Sequence, residues 1–388
     1  MVSFDNTEIA FQSKSDKDLS RANLLFGFMN NKTAVNAGIF LFRVSSFLHL
    51  PVKFIIKNTI FKHFCGGENM EESESVINTL AGYNVKTILD YSVEGKENEM
   101  EFDKAYQMIL STVENASRHK NIPYAVFKST GMGRFALMQK VNDKRELNEK
   151  EKEEYQRFVS RIDGICRKGY ELGVPILIDA EESWMQSCID EVVHQMMKKY
   201  NGQHCIVFNT AQLYRHDRLE FLRKSFDWAR AEGIKYGIKL VRGAYLEKER
   251  ERAEKLNYPD PINPTKEDTD RDFNASLKLC IDNIDIVEVC CGSHNEKSSE
   301  YLAQLIEEKK LTKDDHRIYF AQLLGMSDHI SFNLSHQGYN VAKYVPFGPV
   351  YDVTPYLIRR TEENSSIAGQ SSRELMLIKK ERQRRKSA

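Results

Sequence analysis

The sequence predicts a closed (β/α)8 barrel. Eight short apolar runs rich in β-formers follow one another from about residue 84, and charged stretches of helical period separate them. Near-continuous apolar strands with helices between them indicate a parallel sheet covered on both faces. Eight such units suit a barrel better than an open sheet. In order, the runs are Val85–Ser92, Tyr124–Thr130, Pro175–Glu182, Cys205–Tyr214, Ile238–Tyr245, Asp285–Asn295, Arg317–Met326 and Asn340–Gly348. Helical stretches such as EKEKEEYQRFVSRIDGICRKGYELG and DRLEFLRKSFDWARAEGIKYG lie between them. Each run also turns polar at its end: Asp90, Lys128, Asp179 with Glu181 and Glu182, Gln212, Arg242–Tyr245, Ser293-His294-Asn295, Gln322, and Tyr344 just before Pro346. Barrel enzymes carry their chemistry at the C-terminal strand ends, so the pattern predicts a functional mouth.

Composition bounds the rest. The chain has 388 residues, with 56 Lys+Arg against 56 Asp+Glu. Zero net charge argues against nucleic acid, whose phosphates call for an excess of cations. Seven cysteines without a C-x-x-C pair predict reduced thiols and an intracellular, cytoplasmic protein. The opening residues carry neither a signal peptide's apolar core nor an Arg-rich transit pattern, and no apolar run is long enough to span a bilayer. The predicted organisation is a helical region over residues 1–80, the barrel over 81–368 and a basic tail over 369–388.

Two segments admit a membrane reading. Thr33–Phe64 holds no acid, and Arg43, Lys53, Lys57 and Lys62 punctuate its apolar residues. Such a segment either packs on the barrel as a helical layer or lies on a lipid surface. The tail KKERQRRK (Lys379–Lys386) carries six cations and one acid. It is read either as an electrostatic anchor or as a solvated, disordered end.

Two stretches carry the candidate chemistry. In YLIRRTEEN, residues Tyr356, Arg359, Arg360 and Glu363 share one helix face after the eighth strand. Paired arginines there can fork onto a carboxylate. In KLVRGAY, alternation sets Lys239, Val241, Gly243 and Tyr245 on one side and Arg242 on the other. A lysine inside a barrel strand needs a partner or a ligand. A Gly-Ala turn beyond it lets a flat ligand approach the backbone. His216, His316 and His329 read as core histidines. No carboxylate or thiolate set surrounds His294 at metal-ligand spacing, so no metal is expected.

These residues resemble proline dehydrogenase, the flavin enzyme that opens proline catabolism. KLVRGAYLEKERERAEKLNYPDPINPT, SHN, FAQLLGMSDH and KYVPFGPVYDVTPYLIRRTEENSS carry the likeness, and LDYSVEG, VFKSTGMG and LIDAEESWMQ fit in the same order. The likeness covers about Gly82 to Ser366 and is nearest the branch that includes the mitochondrial enzymes. It implies the same barrel, with the last helix over the mouth. It also implies FAD, L-proline as substrate, a membrane quinone as electron acceptor, and a monofunctional enzyme in peripheral contact with a membrane. By position, Arg359, Arg360 and Lys128 are implied to grip the proline carboxylate. Leu323, Tyr344, Tyr356 and Tyr245 would wall the ring, and Asp179 matches the family's strand-end aspartate. Lys239 stands beside the flavin N5 position, where many relatives carry Arg. Ala180, Gln212, Lys239, Val241, Arg242, Gly243, Ser293, His294, Asn295 and Glu363 fall at FAD-holding positions, and Glu94 at a gating acid. Two other readings remain for the barrel. One is a Schiff-base aldolase using Lys128 or Lys239, which borohydride trapping would reveal. The other is a non-enzymatic scaffold, against which the eight polar strand ends argue.

Overall fold

The eight runs form eight strands: β1 (Val85–Tyr91), β2 (Tyr124–Lys128), β3 (Ile176–Asp179), β4 (Val207–Gln212), β5 (Tyr236–Val241), β6 (Val287–Gly292), β7 (Ile318–Leu323) and β8 (Val341–Phe347). They pair in parallel and in chain order, and β8 closes on β1 from Val85↔Val341 to Tyr91↔Phe347. The structure is a computed structural model that describes residues 2–31, 33–38, 53–92, 97–366 and 370–387; the side chains of 55, 362–366 and 370–372 are outside the described set.

Both faces of the strands are buried, which is why the runs read as continuously apolar. One parity faces outward: Phe127, Ile176, Ile178, Ile238, Leu240, Val289, Phe320 and Val345 join the large core beneath the helices. The other parity faces inward: Ile88, Tyr124, Val126, Leu177, Phe208, Cys290, Ala321 and Ala342 fill the barrel. Tyr124 meets Phe208 and Tyr319 edge-on at 5.4 and 5.2 Å, closing the barrel below the mouth. Gly237 makes that layer possible, because a Cβ there would come within 2.5 Å of the Phe208 ring. The helices are punctuated by local signals. Asn148 and Glu151 form a capping box at the start of Glu149–Leu172, and Gly173, at φ 66°, ends it in the left-handed region.

Residues 370–387 are not irregular. Gln370–Ser387 is a helix. Its Leu377 and Ile378 pack with Ala10, Phe11, Leu19, Ala22 and Phe26 of the N-terminal helices. Glu381, fully buried, holds Arg384 and Arg385, and Arg385 reaches the Phe11 and Lys14 carbonyls at 3.0 and 2.9 Å. The reading of this stretch as a disordered end is therefore wrong, and half of its cations are engaged with the protein: Lys380 also bonds the Asp5 carbonyl. Deleting the residues after Leu377 removes Ile378 and Glu381 from this packing. Full burial of one Ile is worth about 1.5–3 kcal/mol, so the truncated protein is expected to melt well below the parent in a thermal scan. An unchanged midpoint would show the helix to be dispensable for stability.

In the acid-free segment, Lys53 and Lys57 pair with Glu68 at 2.8 and 2.6 Å. Phe61 and Phe64 pack with Val350, Val353, Tyr356 and Leu357 of the helix Val350–Ser366. Arg43 lies outside the described residues. The seven cysteines are buried free thiols. Among the described residues no helix is long and apolar enough to cross a membrane. His216 and His316 are exposed rather than in the core, because both sit in turns at the two ends of the barrel units; His329 is buried as expected.

Candidate active site

A cavity of about 870 Å³ opens at the C-terminal ends of the strands. It is lined by Lys128, Asp179, Ala180, Gln212, Lys239, Val241, Arg242, Gly243, Tyr245, Ser293, His294, Asn295, Leu323, Tyr344, Tyr356, Arg359 and Arg360. The barrel thus brings together all the candidate residues whose side chains are described. Two are left over. Glu94 lies outside the described residues, and Glu363 belongs to the helix Val350–Ser366 but its side chain is not described.

Alternation along the strands sets one polar chain across the cavity floor. Ser92 donates to Asp90 at 2.6 Å, and Asp90 lies 3.6 Å from the Lys128 ammonium. Lys128 is 3.9 Å from Asp179, which in turn pairs closely with Lys239. Lys239 donates to the Tyr344 hydroxyl at 2.7 Å and stands 4.6 Å from the centre of its ring. Burial, and then the Asp179 charge, raise the Tyr344 phenol well above its ordinary value, so it stays protonated. Lys239 therefore satisfies both halves of the sequence argument: it has an ion-pair partner and it faces the cavity.

The opposite wall is built from β5 and β6. Arg242 points away from Lys239, as alternation requires. Its guanidinium bonds Asp270 at 2.8 Å and the Ser293 and Ser298 hydroxyls at 2.9 Å each, and lies 4.4 Å from the centre of the Phe273 ring. Gln212 ties two loops together, donating to the Glu181 carbonyl at 2.6 Å and accepting the Ala244 N–H at 3.2 Å. The Glu181 carboxylate itself is turned away from the cavity and accepts the Thr130 N–H and O–H at 2.7 and 2.6 Å. Its burial pushes the carboxyl pKa up to about 7 against the pull of those bonds. Gly243, at φ 139°, has a reason the sequence did not offer: a Cβ there would stand 2.5 Å from the Tyr214 ring.

His294 lies beside Ser327, with Nδ1 and the hydroxyl 3.0 Å apart. Burial first, then the Lys343 and Arg360 charges, hold its imidazole far below the usual range, so it is neutral. On the last helix, Tyr356, Arg359 and Arg360 all line the cavity, as their i, i+3, i+4 spacing predicts. Arg360 is 7% exposed, with its guanidinium 5.2 Å from the centre of the Tyr356 ring.

The lining residues that sequence reasoning missed include Asp270, Glu296, His329 and Arg373. Arg373 comes from the helix read as a tail, and pairs with Glu296 at 2.8 Å. Asp270 and Glu296 sit in helices after the strands, where acids are common and carry no local signal. His329 was read correctly as buried, but it bonds Glu296 at 3.0 Å at the cavity edge.

Comparison with known proteins bears on the family and on the fold. The family model for proline dehydrogenase matches residues 74–373. "Proline dehydrogenase 1, mitochondrial" of Dictyostelium discoideum is 33% identical over 87% of this chain and 67% of its own length. "Carbapenem antibiotics biosynthesis protein CarD" of Pectobacterium carotovorum subsp. carotovorum is 32% identical over 86% of this chain and 85% of its own. The human "Proline dehydrogenase 1, mitochondrial" is 41% identical over 60% of this chain, a stretch that is 39% of that protein. Among solved structures, proline utilization A (PutA) from Bdellovibrio bacteriovorus, inactivated by N-propargylglycine, superposes with a TM-score of 0.72 at 20% identity. That match covers 94% of this chain and only 37% of the other, and it speaks for the fold alone. The extent of the family match and the identity to relatives covered over most of their length have one meaning: the chain belongs to the proline dehydrogenase family, oxidoreductases that act on proline.

Proposed function

We propose that the protein oxidises L-proline to pyrroline-5-carboxylate with FAD as cofactor, and that the electrons pass on to a membrane quinone. The observation that carries this reading is the convergence of two subsites in one cavity. Lys128, Arg359 and Arg360 line it together with Leu323, Tyr344, Tyr356 and Tyr245, and Arg242, Ser293, His294 and Asn295 line the same space. The donor set suits FAD. Hydroxyls, amides and cations along one wall match a ribose and a pyrophosphate, and about 870 Å³ is within the range of cofactor-sized pockets.

FAD, when bound, supplies the electron sink for the hydride that leaves the ring carbon beside the amine. The chain's own residues do the rest. Asp90, Lys128, Asp179 and Lys239 alternate in charge along the floor and cancel one another. Arg359 and Arg360 line the same space from the last helix. Guanidinium and ammonium groups that can donate to a carboxylate suit a substrate carboxylate there and disfavour a protonated ring amine, and the amine must lose its proton before oxidation. Tyr344, held neutral, offers an apolar face to the ring. Lys239, fixed by Asp179 and Tyr344, is proposed as the donor toward the flavin, and Glu94 as an acid that pairs with Arg359 to gate entry. Work at a membrane surface from the cytoplasm completes the proposal. The exposed Leu24 and Phe54, at 74% and 77%, support a peripheral contact.

The test is a spectrum. Purified protein is expected to carry the absorbance of bound flavin, and anaerobic L-proline should bleach it without added nicotinamide cofactor. A flavin that stays oxidised under proline would sink the assignment. A colourless protein trapped by borohydride with a carbonyl substrate would favour the aldolase reading.

A further inference from the structure

The helix Gln370–Ser387 contributes more than stability, because two adjacent residues of it reach the cavity and its rim. Arg373 lines the cavity and bonds Glu296, the residue after Asn295, at 2.8 and 3.2 Å. Its neighbour Glu374 is only 4% exposed, and its carboxylate accepts the Ser327 N–H at 3.1 Å. The His329 Nδ1 atom lies 3.7 Å from the same carboxylate.

Ser327 has φ 51°, in the left-handed region that a residue with a Cβ adopts only where its surroundings hold it. It stands at the start of the helix Asp328–His336, where an N–H has no acceptor within the helix. Glu374 supplies that acceptor from a distant part of the chain. The Ser327 hydroxyl lies 3.0 Å from His294 Nδ1, and His294 is part of the cavity wall. One line of contacts, Glu374 to Ser327 to His294, runs from the helix to the site. Burying a carboxylate is costly where an apolar side chain would serve packing as well. The buried cation nearby, Lys343, already has Asp328 at 2.8 Å, so neutralising it does not account for Glu374.

We propose that Glu374 is a positioning residue for the cofactor: by holding Ser327 in its left-handed turn, it fixes the orientation of the His294 ring in the cavity wall. The proposal rests on the reading of that cavity as a flavin site.

Three variants test it: Glu374→Gln, Glu374→Ala and Ser327→Ala. Each is stripped of flavin and titrated with FAD by quenching of flavin fluorescence. Hydrogen exchange over residues 292–297 is followed in the flavin-free proteins. Gln keeps an oxygen acceptor for the Ser327 N–H, so Glu374→Gln should bind FAD within about threefold of the parent. Glu374→Ala and Ser327→Ala should each weaken FAD binding about tenfold and speed exchange at Ser293–Asn295. Ser327→Ala loses one hydroxyl and keeps the bond to Glu374, so it remains informative even where Glu374→Ala fails to fold. Parent-like affinity and exchange in Ser327→Ala would overturn the proposal. So would an equal loss in Glu374→Gln, which would implicate charge rather than the bond. If the parent itself takes up no FAD, the flavin reading fails, and the exchange data still decide whether Glu374 governs His294.

Discussion

Replacing Arg359 or Arg360 by methionine is expected to raise the proline KM about ten- to a hundredfold while FAD remains bound. Both guanidinium groups line the cavity with Lys128. A charge-assisted hydrogen bond to a carboxylate is worth about 1.5–3 kcal/mol, which sets that range. Methionine keeps the unbranched stem and the helix propensity, so the helix Val350–Ser366 should persist. The bound-flavin spectrum is the control for misfolding. A lysine at either position should restore only part of the affinity, since a point charge cannot fork onto two oxygens. Variants that saturate with proline at the parent's concentrations would show that the carboxylate is held elsewhere.

Lys343→Met is expected to cost about 3–5 kcal/mol of stability, the usual result of stripping one partner from a buried ion pair. Lys343 sits on the outer face of β8 with no exposed side-chain surface. It bonds Asp328 at 2.8 Å and the Met326 and Leu323 carbonyls at 2.5 and 3.3 Å. Burial works to raise the Asp328 carboxyl pKa, but the Lys343 and Lys14 charges outweigh it and hold it far below the ordinary range. A carboxyl depressed on folding contributes stability above its unfolded value of about 4, and that contribution fades as pH falls through the folded value. The parent should therefore lose stability below about pH 4, and the variant, with less depression, should lose less there. Chemical denaturation at pH 7 and at about pH 3 measures both effects. Adding Asp328→Asn to Lys343→Met should recover much of the loss at pH 7 by removing the stranded charge. A double variant as unstable as the single one would place the damage in packing instead.

What could be read in the sequence depended on how local each signal was. The strands were legible because both faces are buried, which leaves apolar runs such as Ile176–Ile178 and Val289–Cys291 that no solvated helix would show. The cavity was legible because barrel geometry alone sends strand ends like Asp179 and Gln212 to one place. The helix face of Tyr356, Arg359 and Arg360 followed from spacing. Long-range partners left no such trace. Arg385 and the Glu381 that holds it read as members of a polybasic run, since the N-terminal carbonyls that Arg385 serves lie at the far end of the sequence. Lys343, inside the run Asn340–Gly348, carries no local signal of its own, and only the fold reveals Asp328 beside it. Gly243 was assigned to ligand approach, whereas the crowding comes from Tyr214, a residue of the preceding unit.

The pairing of the first helices with Gln370–Ser387 also bears on how the molecule is made. A ribosome emits Leu19, Ala22 and Phe26 early, but Leu377 and Ile378, which cover them, emerge only after the entire barrel has been translated. Until then that apolar face is open to chaperones or to other nascent chains. The Arg373 bonds to Asp5 and Glu296 likewise wait for a residue translated after all eight strands. Vectorial synthesis thereby withholds one piece of the cavity wall until every strand has been translated.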